Sequence, residues 1–276
     1  MDILSRPVLP ADHRIHYGAG PCQFGDLWLP QTRPGSLLPL VVFYHGGWWK
    51  SQYDLGYAGY LCAALKQEGI ASWSVEYRRI GVTGGGWPAT FRDAGAGYDF
   101  AATLAKNYPL DLTRVVTMGH SAGAHLAFWV AGRHHIDPGS EIYEPRPQVP
   151  LHGAISLAGA VDLRLTIDLS GYFTFAHDKH EVYALMGGSP LDLPDRYKAG
   201  NPGDLLPFHL PQFLLQGTAD DQIPPELPSR WADRSRHLGD TATVTMISSA
   251  DHFDLLDPES RAWGVVRDSI RKAVFS

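Results

Sequence analysis

The stretch RVVTMGHSAGAHLAF, residues 114–128, decides the fold. RVVTM (114–118) is a short apolar run of the kind that forms a buried strand, and AGAHLAFWVAGR (122–133) reads as a helix. Between them stands Gly119-His120-Ser121-Ala122-Gly123, a hydroxyl residue set among small neighbours. A sharp turn from strand to helix forces its central residue into a strained backbone conformation, and only glycines nearby leave room for it. The hydroxyl then projects from the strand end at a helix N-terminus, whose amides and dipole favour developing negative charge. Ser121 is therefore a candidate nucleophile. The bland alternative is an ordinary helix-capping serine.

Working outward, LVVFY (40–44) is continuously apolar, the pattern of a strand covered on both faces of a parallel sheet. HRIHYG (13–18) and FGDLWLP (24–30) read as an antiparallel pair bounded by Gly and Pro. Further strands are expected at 70–77, 152–159, 212–217 and 241–248. Helices are expected at 55–68, from Pro88 to about Lys106, at 225–238 and at 258–274. Strands alternating with helices predict an α/β domain with a mainly parallel sheet and right-handed crossovers. Residues 162–206 break the rhythm, offering only short helical pieces between Gly and Pro. They are expected to form a cap-like insertion within a single domain spanning 1–276, over the edge where open α/β sheets bind ligands.

The bulk properties narrow the function. With 276 residues, 44% of them hydrophobic and 19% charged, the chain has material for one large core. A net charge of −6 argues against nucleic acid or an anionic membrane as partner. Two cysteines, Cys22 and Cys62, cannot make a disulfide framework. The first residues carry no secretory pattern and no apolar run is long enough for a membrane helix, so a cytoplasmic protein is expected. Gly84-Gly85-Gly86 lacks the Lys-Ser/Thr of a phosphate-binding loop, and His177 and His180 lack a third ligand. No cofactor and no metal are expected.

A serine hydroxyl is a weak nucleophile at neutral pH and needs a general base, which in turn needs an orienting carboxylate. QFLLQGTADDQIPP (212–225) offers Asp220 and Asp221 just past a strand. SSADHFDLLDP (248–258) places His252 in a loop between the last strand and the last helix. LVVFYHGGWWK supplies a fourth element, for two glycines after a buried strand let the backbone aim amides at an oxygen that gains charge. The expected donors are the amides of Gly47, Trp48 and Ala122, with His45 bracing the loop. Trp48, Trp49, Trp87, Tyr172, Phe173 and Phe175 are candidates to line a substrate pocket.

From about Ile15 to the final helix the chain resembles the α/β-hydrolases. HGGWW resembles the HGG-type oxyanion loop of hormone-sensitive-lipase-like esterases, and more closely the HGG-aromatic-Trp form of the kynurenine formamidases. GHSAGAHLA and DHFDLL are also similar to segments of that second group. GTADDQIP resembles a general hydrolase pattern, GTADxxVP, whose aspartate is the triad acid; this favours Asp220 over Asp221. The resemblance implies a triad of Ser121, Asp220 and His252. The leading expectation is a serine carboxylesterase acting on a small ester through an acyl-enzyme. The alternatives are an arylformamidase that deformylates an N-formyl arylamine, and a non-catalytic homologue that binds a small ligand. The three filled triad positions count against the last.

Overall fold

In a computed structural model, which describes residues 3–145, 149–171 and 178–275, eight strands form one twisted sheet. They are β1 (His13–His16), β2 (Phe24–Trp28), β3 (Leu38–Tyr44), β4 (Ala71–Val75), β5 (Leu110–His120), β6 (Gly153–Leu157), β7 (Gln212–Gly217) and β8 (Ala242–Ile247). The spatial order is β1-β2-β4-β3-β5-β6-β7-β8. β1, β2 and β4 pair antiparallel; every other neighbour is parallel. Every residue of β3 is buried, as its unbroken apolar run requires of a strand with helices on both faces.

The nine helices of the described residues are α1 (Gly59–Gln67), α2 (Ala89–Asp99), α3 (Ala101–Leu104), α4 (Ala122–Gly132), α5 (Leu163–Asp168), α6 (Asp178–Met186), α7 (Pro194–Gly200), α8 (Glu226–His237) and α9 (Trp263–Phe275). Side chains of β3 alternate between two cores. Leu40, Val42 and Tyr44 pack with Phe91, Trp129 and Trp231 on one face. Val41 and Phe43 pack with Leu61, Val266 and Ile270 on the other. The result is the α/β-hydrolase architecture, a mostly parallel sheet between two helical layers.

α4 is buried along its whole length, and its composition explains why. AGAHLAFWVAG is apolar on every side, so it must be covered by more than the sheet. The segment after β6 supplies that cover. His125 Nε2 donates to the Gly200 carbonyl at 2.9 Å and the Trp129 indole N–H to the Ala199 carbonyl at 3.0 Å. α5 opens that segment, capped by the Asp162 carboxylate, which accepts from the amides of Arg164 and Leu165.

Several boundaries differ from the sequence expectation. The 88–106 helix is broken at Phe100 into α2 and α3, and 55–68 begins as a 3-10 turn at Leu55–Ala58. β5 starts at Leu110 rather than at 114, because its early residues pair where β3 begins, at Leu38. The last helix starts at Trp263, five residues later than expected, after a run of turns beginning at Pro258. No helix among the described residues is long and apolar enough to cross a membrane.

Candidate active site

β5 ends at His120, and Ser121 occupies the turn into α4 with φ 54° and ψ −126°. Such a backbone is costly for a residue with a side chain and persists only where the surroundings enforce it. Here they do. A Cβ on Gly119 would overlap the backbone of Gly123, and one on Gly123 would overlap the carbonyls of Tyr44 and His45. The Ser121 amide donates to the Leu157 carbonyl at 2.9 Å, and its own carbonyl accepts from Ala124 and Ala160 at 3.1 Å. The hydroxyl makes no capping bond to α4. The helix-cap alternative therefore fails, and the side chain is left facing a small cavity.

That cavity, about 60 Å³, is bounded by Ser121 and His252 together with Gly47, Trp48 and Tyr53. His252 arrives on the loop after β8, Asp220 on the loop after β7, and the two meet at 2.8 Å between Nδ1 and Oδ2. Asp220 is buried and accepts three further bonds. Gln216 Nε2 donates to Oδ2 at 2.8 Å, and the amides of Gln222 and Ile223 donate to Oδ1 at 2.8 and 2.9 Å. A carboxylate so surrounded by donors accepts from His252, which fixes the proton on Nδ1 and leaves Nε2 with a free lone pair. Asp221 is exposed and accepts only from the side-chain amide of its neighbour Gln222 among the bonds of the described residues. The two adjacent aspartates thus have opposite environments.

The loop after β3 forms the cavity's other wall. Gly47, Trp48 and Trp49 all have positive φ, at 99°, 50° and 56°. Gly47 needs its missing side chain, since a Cβ there would run into the Tyr53 ring. This tight turn brings Gly47 and Trp48 to the Ser121 cavity. Ala122 is the first residue of α4, where an amide has no partner inside the helix. His45 braces the loop from beneath. Its Nε2 lies 3.0 Å from Glu76 Oε1, its ring stacks on Tyr77 with centroids 4.4 Å apart, and the Tyr77 hydroxyl donates to its carbonyl at 2.8 Å. Burial alone pushes the Glu76 carboxyl up, but His45, Arg79 and the Tyr77 amide outweigh it and hold it below the usual carboxylate range.

The proposed aromatic lining is divided by the structure. Trp48 borders the cavity. Trp49 is wholly buried, meeting His125 edge-on at 5.3 Å and Trp48 edge-on at 6.0 Å. Trp87 borders a separate groove of about 510 Å³ and donates to Glu141 at 3.0 Å. Tyr172, Phe173 and Phe175, like His177, lie outside the described residues. Glu181, beside the paired histidines of the sequence, forms an ion pair with Lys50. No group of three or more His, Cys, Asp or Glu among the described residues is placed to hold a metal.

Residues at the cavity that sequence reasoning passed over are Leu4, Tyr53, Tyr57, His120, Gln222 and Phe253. His120 was legible as the variable position of the serine motif. Nothing in the pattern of 55–68 set Tyr57 apart from its apolar neighbours.

Comparison with known proteins agrees with this architecture. The BD-FAE family model matches residues 26–232. A probable isoprenylcysteine alpha-carbonyl methylesterase of Oryza sativa subsp. japonica is 28% identical, over 87% of this chain and 56% of that protein. Esterase LipC of Mycobacterium tuberculosis is 25% identical, over 88% of this chain and 60% of its own length. The chain thus spans little more than half the length of these relatives. Esterase B of Lactobacillus rhamnosis superposes with a TM-score of 0.82 at 19% identity, covering 98% of this chain and 88% of that one. The chain belongs to the BD-FAE family and has the α/β-hydrolase fold.

Proposed function

We propose that the protein is a serine carboxylesterase that cleaves small esters through an acyl-enzyme. The observation that carries this reading is the meeting of Ser121, uncapped and strained, with a His252 already oriented by Asp220, on one cavity. In the reaction, Nε2 of His252 takes the Ser121 proton as Oγ attacks the ester carbonyl carbon. The carbonyl oxygen becomes an oxyanion that accepts from the amides of Gly47, Trp48 and Ala122. Collapse of this intermediate breaks the bond to the alcohol oxygen, which leaves with the proton from His252. Water then gives a proton to His252 as it attacks the acyl-serine; collapse of the second intermediate breaks the bond to Oγ, which takes that proton back from His252 as the acid is released.

The small volume bounded by the described residues supports a short acyl group, and the names of the relatives support ester over amide chemistry. The HGGWW loop favours a second reading, deformylation of an N-formyl arylamine. One panel separates them: kcat/KM on p-nitrophenyl acetate, butyrate and octanoate beside N-formylkynurenine, each with parent and Ser121→Ala. The ester reading predicts highest kcat/KM on acetate and loss of at least about 10³-fold in Ser121→Ala. Full activity in that variant would overturn it, and turnover of the formamide alone would replace it with the second reading.

A further inference from the structure

Three polar groups at the site have no part in the reaction as written: the Gly46 amide, the Tyr57 hydroxyl and the His120 imidazole. They are joined end to end. The Gly46 N–H donates to the Tyr57 hydroxyl, Tyr57 lies 3.1 Å from His120 Nδ1, and His120 Nε2 lies 3.0 Å from the backbone carbonyl of His252. We infer that Tyr57 and His120 are positioning residues, a hydrogen-bonded strut that ties the oxyanion loop to the histidine loop through the residue next to the nucleophile. This rests on the esterase reading for its consequence, though not for its geometry.

The direction of each bond follows by elimination. A carbonyl can only accept, so His120 carries its proton on Nε2. A neutral imidazole has one such proton, so Nδ1 is an acceptor and the Tyr57 O–H must donate to it. The Tyr57 oxygen is then the acceptor for the Gly46 amide. Each member fills its neighbour's requirement, and no other tautomer of a neutral ring does so. His120 is held neutral by its surroundings, for burial lowers its pKa well below the ordinary histidine value and the nearby His252 lowers it further. The two rings lie 4.6 Å apart, so a second positive charge here would oppose the imidazolium that His252 must become.

The strut sits where small movements matter. A Cβ on Gly46 would come within 2.8 Å of the His120 carbonyl and of Ser121 Cβ, so the oxyanion loop rests directly on the turn that presents the nucleophile. The Gly46 amide immediately precedes the proposed donors at Gly47 and Trp48. At its other end the strut holds the main chain of the residue that must reach the serine. Misplacing either group by about 1 Å can cost roughly a hundredfold in rate.

The test is a set of variants assayed on p-nitrophenyl acetate: Tyr57→Phe, His120→Ala, their double variant, and His120→Gln, with Ser121→Ala in parallel. Each single loss of the strut is expected to lower kcat by about tenfold to a hundredfold with KM changed less than about threefold. The double variant is expected to be no slower than the worse single one, because a strut broken once is already broken. His120→Gln, whose amide can still reach the His252 carbonyl, recovers part of the loss. Unchanged kcat in both single variants, or losses that multiply in the double, would overturn the inference. A second measurement needs no variant and no activity: imidazole ¹⁵N spectra of the intact protein. They are expected to show His120 protonated at Nε2 and bare at Nδ1 through the neutral range, and a proton on Nδ1 would overturn the strut. Full activity in Ser121→Ala would instead remove the esterase reading, leaving the tautomer to decide the strut.

Discussion

Asp220 and Asp221 share a chemistry and a peptide bond, yet one holds His252 while the other faces solvent. The difference lies in donors: Gln216, Gln222, Ile223 and His252 all point at Asp220. Asp220→Asn keeps the size of the side chain but no longer enforces the His252 tautomer, so kcat is expected to fall by about 10³–10⁴. Asp221→Asn is expected to stay within about twofold of the parent, as a solvated carboxylate contributes little. Steady-state kinetics on a short p-nitrophenyl ester checks both, and equal losses would show that the assignment between them is wrong. From the residues alone both aspartates stayed open, and family resemblance chose between them. Their separation depends on Gln216 and on the turn through Ile223, which bring donors to one carboxylate only once the chain has folded. Trp49 shows the opposite limit: an aromatic in a motif looked like pocket lining, and packing against His125 makes it core.

At the scale of elements, the site depends on the loop after β3 being held against the turn into α4. Glu76, the residue just after β4, ties that loop down through His45, while also accepting from the amides of Tyr77 and Leu55 at 2.8 and 3.3 Å. Its carboxylate is 1% exposed, so removing it leaves buried donors and the Arg79 charge without their partner. Glu76→Ala is expected to cost about 3–5 kcal/mol of stability, measured by urea denaturation. A change below about 1 kcal/mol would mean that the loop is held by other means. The strands and the strand–turn–helix at Ser121 were readable because buried parallel strands and apolar helices leave unbroken or periodic runs. The segment after β6 was not. Its helices are as short as the six residues of α5 and are held by bonds such as Leu163 N–H to Asn201 Oδ1 at 2.7 Å, which local pattern does not reveal.

For the whole molecule, burying α4 on every side has a pH consequence. His125, sealed against Gly200, has its pKa lowered to about 4 by desolvation, which outweighs the opposing effect of its hydrogen bond to the Gly200 carbonyl. A histidine depressed on folding binds its proton in the unfolded chain first. Its stabilising contribution is therefore full above about pH 6.5 and is lost as pH falls toward 4. The shift corresponds to something on the order of 3 kcal/mol. His120 acts in the same direction. Denaturation midpoints are expected to drop from pH 7 to pH 5, and His125→Gln, which keeps a donor near the Gly200 carbonyl, to flatten that drop. An unchanged slope in the variant would show that His125 does not carry the effect.

Loops far apart in the chain converge on Ser121, and their convergence is what would make that serine reactive. The most direct measurement is labelling of the intact protein with a fluorophosphonate, read by mass spectrometry and peptide mapping. The account predicts one adduct, on Ser121, absent in Ser121→Ala and much slower to form in His252→Gln. A protein that hydrolyses short esters while Ser121 stays unlabelled would contradict it.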